Sequence, residues 1–277
     1  MDISVTPSTL FIISTSGSAT ALVRHNKALQ NFDADIVYFT FARSISAEQY
    51  SGLFKSPIVR GGAVTGQGLK TGILPYIDHL DPLAKKLGSV NTVLNISGEL
   101  HGYNTDAFGF KTAITKHLKN SPQLIKSAVI YGNGGVSGVA VRVLQEMGMT
   151  VGMAGRNSRH VAKKMDELSL KATEEPYDLV VNATPISSEP IEKAEGLLPL
   201  LKTAKLVFDH SMPEMEGKTN YLQEYCKKNR LNFISGYEMY TPQMSKQWKL
   251  FLDGIEAKTG GRLSVTETDI KHAWKLD

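Results

Sequence analysis

Gly132, Gly134 and Gly135 fall together after an apolar run, where glycine favours neither strand nor helix. Gly132 permits a tight turn, and Gly134 lets the backbone approach a pyrophosphate. Ser137 stands where a third glycine is usual, with Gly138 beside it. The run Gly132-Asn133-Gly134-Gly135-Val136-Ser137 thus reads as a loop whose N–H groups, at the start of a helix, face phosphate oxygens. A plain tight turn is the competing reading, and the order strand, loop, helix favours the nucleotide. Further on, where an NAD site carries an acidic residue for the ribose hydroxyls, the chain has Gly155-Arg156-Asn157-Ser158-Arg159-His160. A guanidinium there grips a 2′-phosphate in two prongs and stacks on adenine, which selects NADP. The alternative is a solvated basic helix start, which the helix dipole disfavours.

A second set of polar residues lies between 61 and 106, where strands end: Thr65, Lys70, Asn91, Thr92, Asn104 and Asp106. A lysine held by a carboxylate is a proton-transfer pair, and burial lowers the lysine's affinity for its proton. Spacing alone does not bring Lys70 to Asp106, and Lys70 by itself reads equally as a solvent-facing lysine. His79, His117 and His272 lie in polar surroundings and read as surface residues. His210 reads as either a neighbour of the nicotinamide or a surface residue. Cys226 has no partner for a nucleophilic dyad.

The elements that must position these residues fall into two rhythms. Strands are expected at 9–14, 35–41 and 61–65, a helix at 19–31, and a hairpin of strands 90–95 and 99–103 around Ser97-Gly98. A helix follows from about 106 to 117. From 124 the pattern becomes strand, glycine loop, helix, strand, helix, strand, with strands at 124–132, 150–154, 177–184 and 205–211 and helices at 133–147 and 158–168. That alternation specifies a parallel sheet covered by helices. The expectation is two α/β domains with a cleft between them. One spans 1–108 and is completed by C-terminal helices at 237–277. The other, a doubly wound Rossmann-type domain, spans 109–236.

Composition narrows the classes. Of 277 residues 42% are hydrophobic, enough for sizeable cores, and the net charge is only +4. That mild balance does not argue for nucleic acid and slightly favours anionic small molecules. One cysteine implies a reducing, cytoplasmic setting without disulfides. No apolar run reaches membrane-spanning length and no signal peptide is read, so no membrane partner is expected. A monomer or homodimer is expected.

"GSVNTVLNISGELHGYNTDAFGF" resembles the G-A-V-N-T…G-x-L-x-G-x-N-T-D-x-x-G-F signature of the shikimate dehydrogenase family. In family order, "GNGGVSGVA" resembles its glycine loop, "GRNSRH" its N-R-T phosphate stretch, and "NATP" its stretch after a later strand. "GYEMYTPQMSKQWKLFLDG" resembles its closing helix. The resemblance implies reduction of 3-dehydroshikimate to shikimate with NADPH. It makes Lys70 and Asp106 the catalytic pair and Asn91, Gln243, Gln247 and Thr65 substrate contacts. Asn182, Thr184 and Gly236 join the cofactor residues. The family's motif before the lysine is here "AVTGQGLK", with Ala63 in place of its asparagine. Its serine motif is "STSGSATALVRHN", where His25 and Asn26 match but Ala19 and Ala21 replace the serines. Met212 replaces a tyrosine. Ser14, Ser16 and Ser18 are expected to hold the substrate carboxylate from a shifted loop. The expectation is a divergent member, acting on a small cyclic hydroxy acid. Its rivals are a dehydrogenase of quinate or an aminated analogue, and a nucleotide-binding protein with little turnover.

Overall fold

The computed structural model describes residues 5–15, 19–41, 44–66, 68–120, 124–171, 176–194 and 196–276. The chain divides into two compact units, Met1–Asp106 with Gln243–Asp277, and Ala107–Pro242.

The first unit contains β1 (Leu10–Ser14), α1 (Ala19–Leu29), β2 (Ile36–Thr40), α2 (Ala47–Phe54), β3 (Val59–Ala63), α3 (Leu69–Gly72), β4 (His79–Leu80), α4 (Pro82–Leu87), β5 (Thr92–Ile96) and β6 (Glu99–Tyr103). Among the described residues its sheet has the order β2-β1-β3-β5-β6-β4. β1 pairs in parallel with β2 and β3, β5 is antiparallel to β3 and β6, and β4 is parallel to β6. The hairpin turns at Ser97 (φ 55°) and Gly98 (φ 92°), two left-handed residues that match the twist of the flanking strands. Asn95 fastens it, accepting from Gly98 N at 2.8 Å and donating to Phe54 O at 2.7 Å. Asp81 caps α4, Pro82 begins it, and left-handed Gly88 ends it. Tyr50, Phe54, Val64, Ile73, Val90, Val93 and Leu100 form the core under this sheet.

Two long helices cross the unit limits: α5 (Thr105–Asn120) begins with Asp106 in its first turn, and α10 (Gly236–Leu252) contains Pro242. The second unit also holds β7 (Ser127–Tyr131), α6 (Ser137–Glu146), β8 (Thr150–Ala154), α7 (Ser158–Glu167), β9 (Leu179–Asn182), α8 (Leu198–Leu201), β10 (Leu206–Asp209), α9 (Tyr221–Lys228) and β11 (Asn232–Ile234). Its sheet runs β11-β10-β9-β7-β8 and is parallel throughout. Counted from β7, that is the doubly wound order 2-1-3-4-5, whose topological switch point lies between β7 and β9. Val129, Val180, Val207, Leu197, Leu201 and Leu222 fill one face of it. The last helix, α11 (Glu267–Trp274), returns to the first unit.

Observed elements agree with the sequence pattern to within a few residues where that pattern was read. β3 sits two residues earlier than expected. Val64, beyond its end, donates to Asn91 O at 2.8 Å, in register with the pairing of β3 and β5. No helix among the described residues is long and apolar enough to cross a membrane.

Candidate active site

In the first unit, Lys70 lies on the single turn α3, entered through left-handed Gly68 (φ 84°). Its backbone carbonyl accepts from Val90 N at 2.8 Å, which ties the turn to the chain leading into β5. Its Nζ lies 2.5 Å from Asp106 Oδ2. Gln243, on α10, donates through Nε2 to the other oxygen, Oδ1, at 2.8 Å. The carboxylate is nearly buried, and its two partners fix its plane, while the lysine keeps a quarter of its side chain exposed. The result is an ammonium aimed by a carboxylate, with a face still open to a ligand.

Asn91 and Thr105 support this pair. The Asn91 amide donates to Thr105 Oγ1 at 2.9 Å, and its oxygen accepts from Thr105 N at 2.8 Å and Thr92 Oγ1 at 2.9 Å. Asn91 was expected to bind ring hydroxyls. It is buried, at 3% exposure, and fixes the start of α5, which carries Asp106. Gln247 was likewise expected near the substrate. It is buried and donates to Thr92 Oγ1 at 2.8 Å, locking α10 onto β5. Thr92, and Thr105, which the sequence reading passed over, are the hubs of this network, and both stand in the N-T motifs quoted above.

The serine loop expected to hold the substrate carboxylate is only partly described. Ser16 and Ser18 lie outside the described residues. Ser14 ends β1, buried at 1% exposure. Thr15, the next residue, is half-buried, and its Oγ1 lies 3.0 Å from Thr65 Oγ1. The alanines Ala19 and Ala21 form the first turn of α1, and Ala63 ends β3.

In the second unit, a cavity of about 320 Å³ is lined by Gly132, Asn133, Gly155, Arg156, Asn157, Thr184 and others. It opens at the carboxyl ends of β7 and β9, where doubly wound folds take their ligands. Gly132 is held at φ 118°, and a Cβ there would meet Thr184 Cγ2 at 2.6 Å. Gly134 and Gly135 have empty space where their Cβ atoms would be. Ser137 is fully buried and its Oγ donates to Gly134 O at 2.6 Å, so it shapes the loop from within. Val136 precedes α6 with no side-chain cap, which leaves the helix N–H groups to a ligand. Asn157 caps α7 by accepting from His160 N at 3.1 Å. Arg156, Arg159 and His160 are exposed, and among the described residues none is ion-paired. These features fit a dinucleotide with a phosphorylated ribose: an open loop for the pyrophosphate and exposed guanidinium groups for the added phosphate.

Asn182, expected among the cofactor contacts, is fully buried. Its amide donates to Thr184 O at 3.0 Å and to Asp209 Oδ1 at 2.8 Å, and its oxygen accepts from Thr184 Oγ1 at 2.7 Å. It positions Thr184 on the cavity wall. Asp209 ends β10, fully buried, and also accepts from Asn220 Nδ2 at 3.0 Å and Ser211 N at 3.1 Å. Burial outweighs these bonds and pushes its carboxyl up to about 6. Gly236 packs against this turn, because a Cβ would meet Met212 Cγ at 2.8 Å and Ser211 O at 2.9 Å. Pro185, Ile186, Ser188 and Glu189 also line the cavity, and sequence reasoning missed them.

No family model matches the chain. A curated relative, shikimate dehydrogenase (NADP(+)) of Bacillus cereus, is 33% identical over 209 residues, which cover 70% of this chain and 74% of the relative. Among solved structures, a shikimate 5-dehydrogenase-like protein aligns over 99% of both chains with a TM-score of 0.74 and 20% identity. Shikimate 5-dehydrogenase from Thermus thermophilus, in complex with NADP(H) and shikimate, aligns over 96% of this chain and 98% of its own. Its TM-score is 0.68 and its identity 24%.

Proposed function

Since the chain belongs to the shikimate dehydrogenase family, we propose that it is an NADP-dependent oxidoreductase interconverting 3-dehydroshikimate and shikimate. The observation that carries this reading is the contact of Lys70 Nζ with Asp106 Oδ2, braced by Gln243. NADPH, when bound, supplies the hydride and determines the redox chemistry. Gly132, Gly134, the N-terminus of α6 and Arg156 would hold it. Lys70 delivers a proton to the carbonyl oxygen as that oxygen gains charge, and in reverse takes the hydroxyl proton. Asp106 aims the lysine at the reacting oxygen. Asn91 and Gln247 keep both partners in place.

The acid end of the substrate meets a different wall from the family's, with Ala19, Ala21 and Ala63 at three polar positions. Each charged hydrogen bond lost without replacement raises KM by roughly tenfold or more. Ser16, Ser18 and Thr15 are the hydroxyls placed nearest in the chain to replace them. Steady-state reduction of NADP with shikimate, run beside quinate, tests the reading. Turnover on shikimate with a raised KM is expected. A protein that binds NADP yet reduces none with either acid would overturn it. Turnover on quinate alone would shift the substrate but keep the class.

A further inference from the structure

His79 on β4 and His101 on β6 are directly opposite in the parallel register of the two strands. Glu99 lies two residues before His101, so it projects from the same face of β6. His79 Nε2 is 3.1 Å from Glu99 Oε2, and the two imidazoles stack with centroids 4.5 Å apart. One donor atom from each of the three lies within 4.8 Å of the others. We propose that His79, Glu99 and His101 form a Zn²⁺ site on this sheet edge, with a fourth position open to solvent.

The chemistry of the donor set selects the metal. Two imidazoles and a carboxylate suit a borderline cation such as Zn²⁺, whereas Mg²⁺ and Ca²⁺ take oxygen donors. Tetrahedral bonds of about 2.0–2.2 Å set donor atoms roughly 3.3–3.6 Å apart, so His79 and Glu99 at 3.1 Å already stand within reach, and small side-chain rotations bring in His101. More than half of the His79 and Glu99 side chains is exposed, so those rotations are cheap. The backbone underneath is fixed: Asp78 N donates to Leu100 O and Asp81 N to Gly102 O, both at 3.0 Å, and Leu100 N donates to Asp78 Oδ2 at 2.8 Å. An ordinary surface ion pair needs only His79 and Glu99; the register sets a second imidazole directly on the first.

The site is independent of the oxidoreductase reading. Its effect is to clamp β4 to β6, the strand that leads towards Asp106. Calorimetric titration of the untagged chain with zinc chloride near neutral pH tests it. One Zn²⁺ per chain is expected, removable by chelator, with no comparable binding of Mg²⁺. His101→Ala should weaken binding by roughly 10- to 100-fold or more, and the His79→Ala/His101→Ala pair should abolish it. Equal Zn²⁺ binding by parent and double variant, or none by the parent, would overturn the proposal. If a variant fails to fold, the imidazole proton resonances of the parent decide. Two histidines shifting together on zinc addition support the site, and unmoved resonances sink it.

Discussion

The indole N–H of Trp274 donates to Nδ1 of His25 at 2.8 Å, joining α11 to α1. Tyr38 and Trp248 close around the same imidazole, with centroids 4.5 and 5.1 Å away. A ring that accepts at Nδ1 carries its proton on Nε2 and is neutral. His25 therefore anchors the packing of the first unit, although it stands in a motif that the family places beside its substrate-binding serines.

Burial, then the charge of Arg24, depresses His25 to about 4 from its ordinary 6.5. The unfolded chain takes up a proton as pH falls through 6.5, and the folded chain does not until about 4. Stability present above 6.5 is thus lost progressively towards pH 4, by at most roughly 3 kcal/mol. Both tryptophans, Trp248 and Trp274, belong to the first unit, so their fluorescence reports its unfolding. The urea midpoint by tryptophan emission should fall between pH 7 and pH 5. His25→Gln, which keeps an acceptor for Trp274 but does not titrate, should flatten that slope. An unchanged slope in the variant would refute the assignment.

Asp209 acts in the opposite direction in the second unit. Its carboxyl is raised to about 6, so its contribution is complete below about 4 and is lost as pH rises through 6. Amide exchange in β9 and β10, corrected for intrinsic rates, should show greater protection at pH 5 than at pH 7. Asp209→Asn should remove the difference. A variant that keeps it would mean that another group titrates.

Lys70→Ala should lower kcat by about 10²–10⁴-fold, the usual cost of losing a positioned acid–base group. NADP affinity should stay within a few fold, because Lys70 lies outside the unit that carries the glycine loop. Calorimetry alongside steady-state kinetics checks both. Loss of cofactor binding with kcat intact would show the role misassigned.

Arg156 and Glu189 line one cavity with opposite charges. Arg156→Ala should weaken NADP by roughly 10- to 150-fold and leave NAD nearly unchanged. Glu189→Gln should tighten NADP by up to about fivefold, since an exposed charge is worth no more than about 1 kcal/mol. Competitive titration with the two cofactors measures the ratio. A parent that binds NAD and NADP equally would remove the basis for both expectations.

What could be read in the sequence was local. The Ser97-Gly98 turn and the glycine loop announce themselves because turn chemistry acts over a few residues. Ser46 and Gln49 spell a capping box for α2 that the pattern reading passed over. β4, with two residues, has no periodicity, and only its register with β6 makes it a strand. α3 is one turn long, so nothing in its pattern places Lys70. The meeting of Lys70 with Asp106 spans 36 positions and was inferred from resemblance rather than spacing. Asn91 and Asn182 take their expected ligand roles from the family motifs in which they stand. That their amides are already engaged inside the chain depends on distant strands and turns.

The hydrogen bond from Gln243 to Asp106 closes a separation of 137 residues, and every residue of the second unit lies between them. A ribosome adding about 5–20 residues per second therefore completes the glycine-loop unit first and delivers Gln243 roughly seven to twenty-seven seconds after Asp106. During that interval the amino-terminal strands lack α10 and α11, so His25, Tyr38 and Thr92 wait without their carboxyl-terminal partners. The proton-transfer carboxylate acquires its second anchor only near the end of synthesis, and nascent chains released early would hold a finished nucleotide fold beside an unfinished acid–base pair.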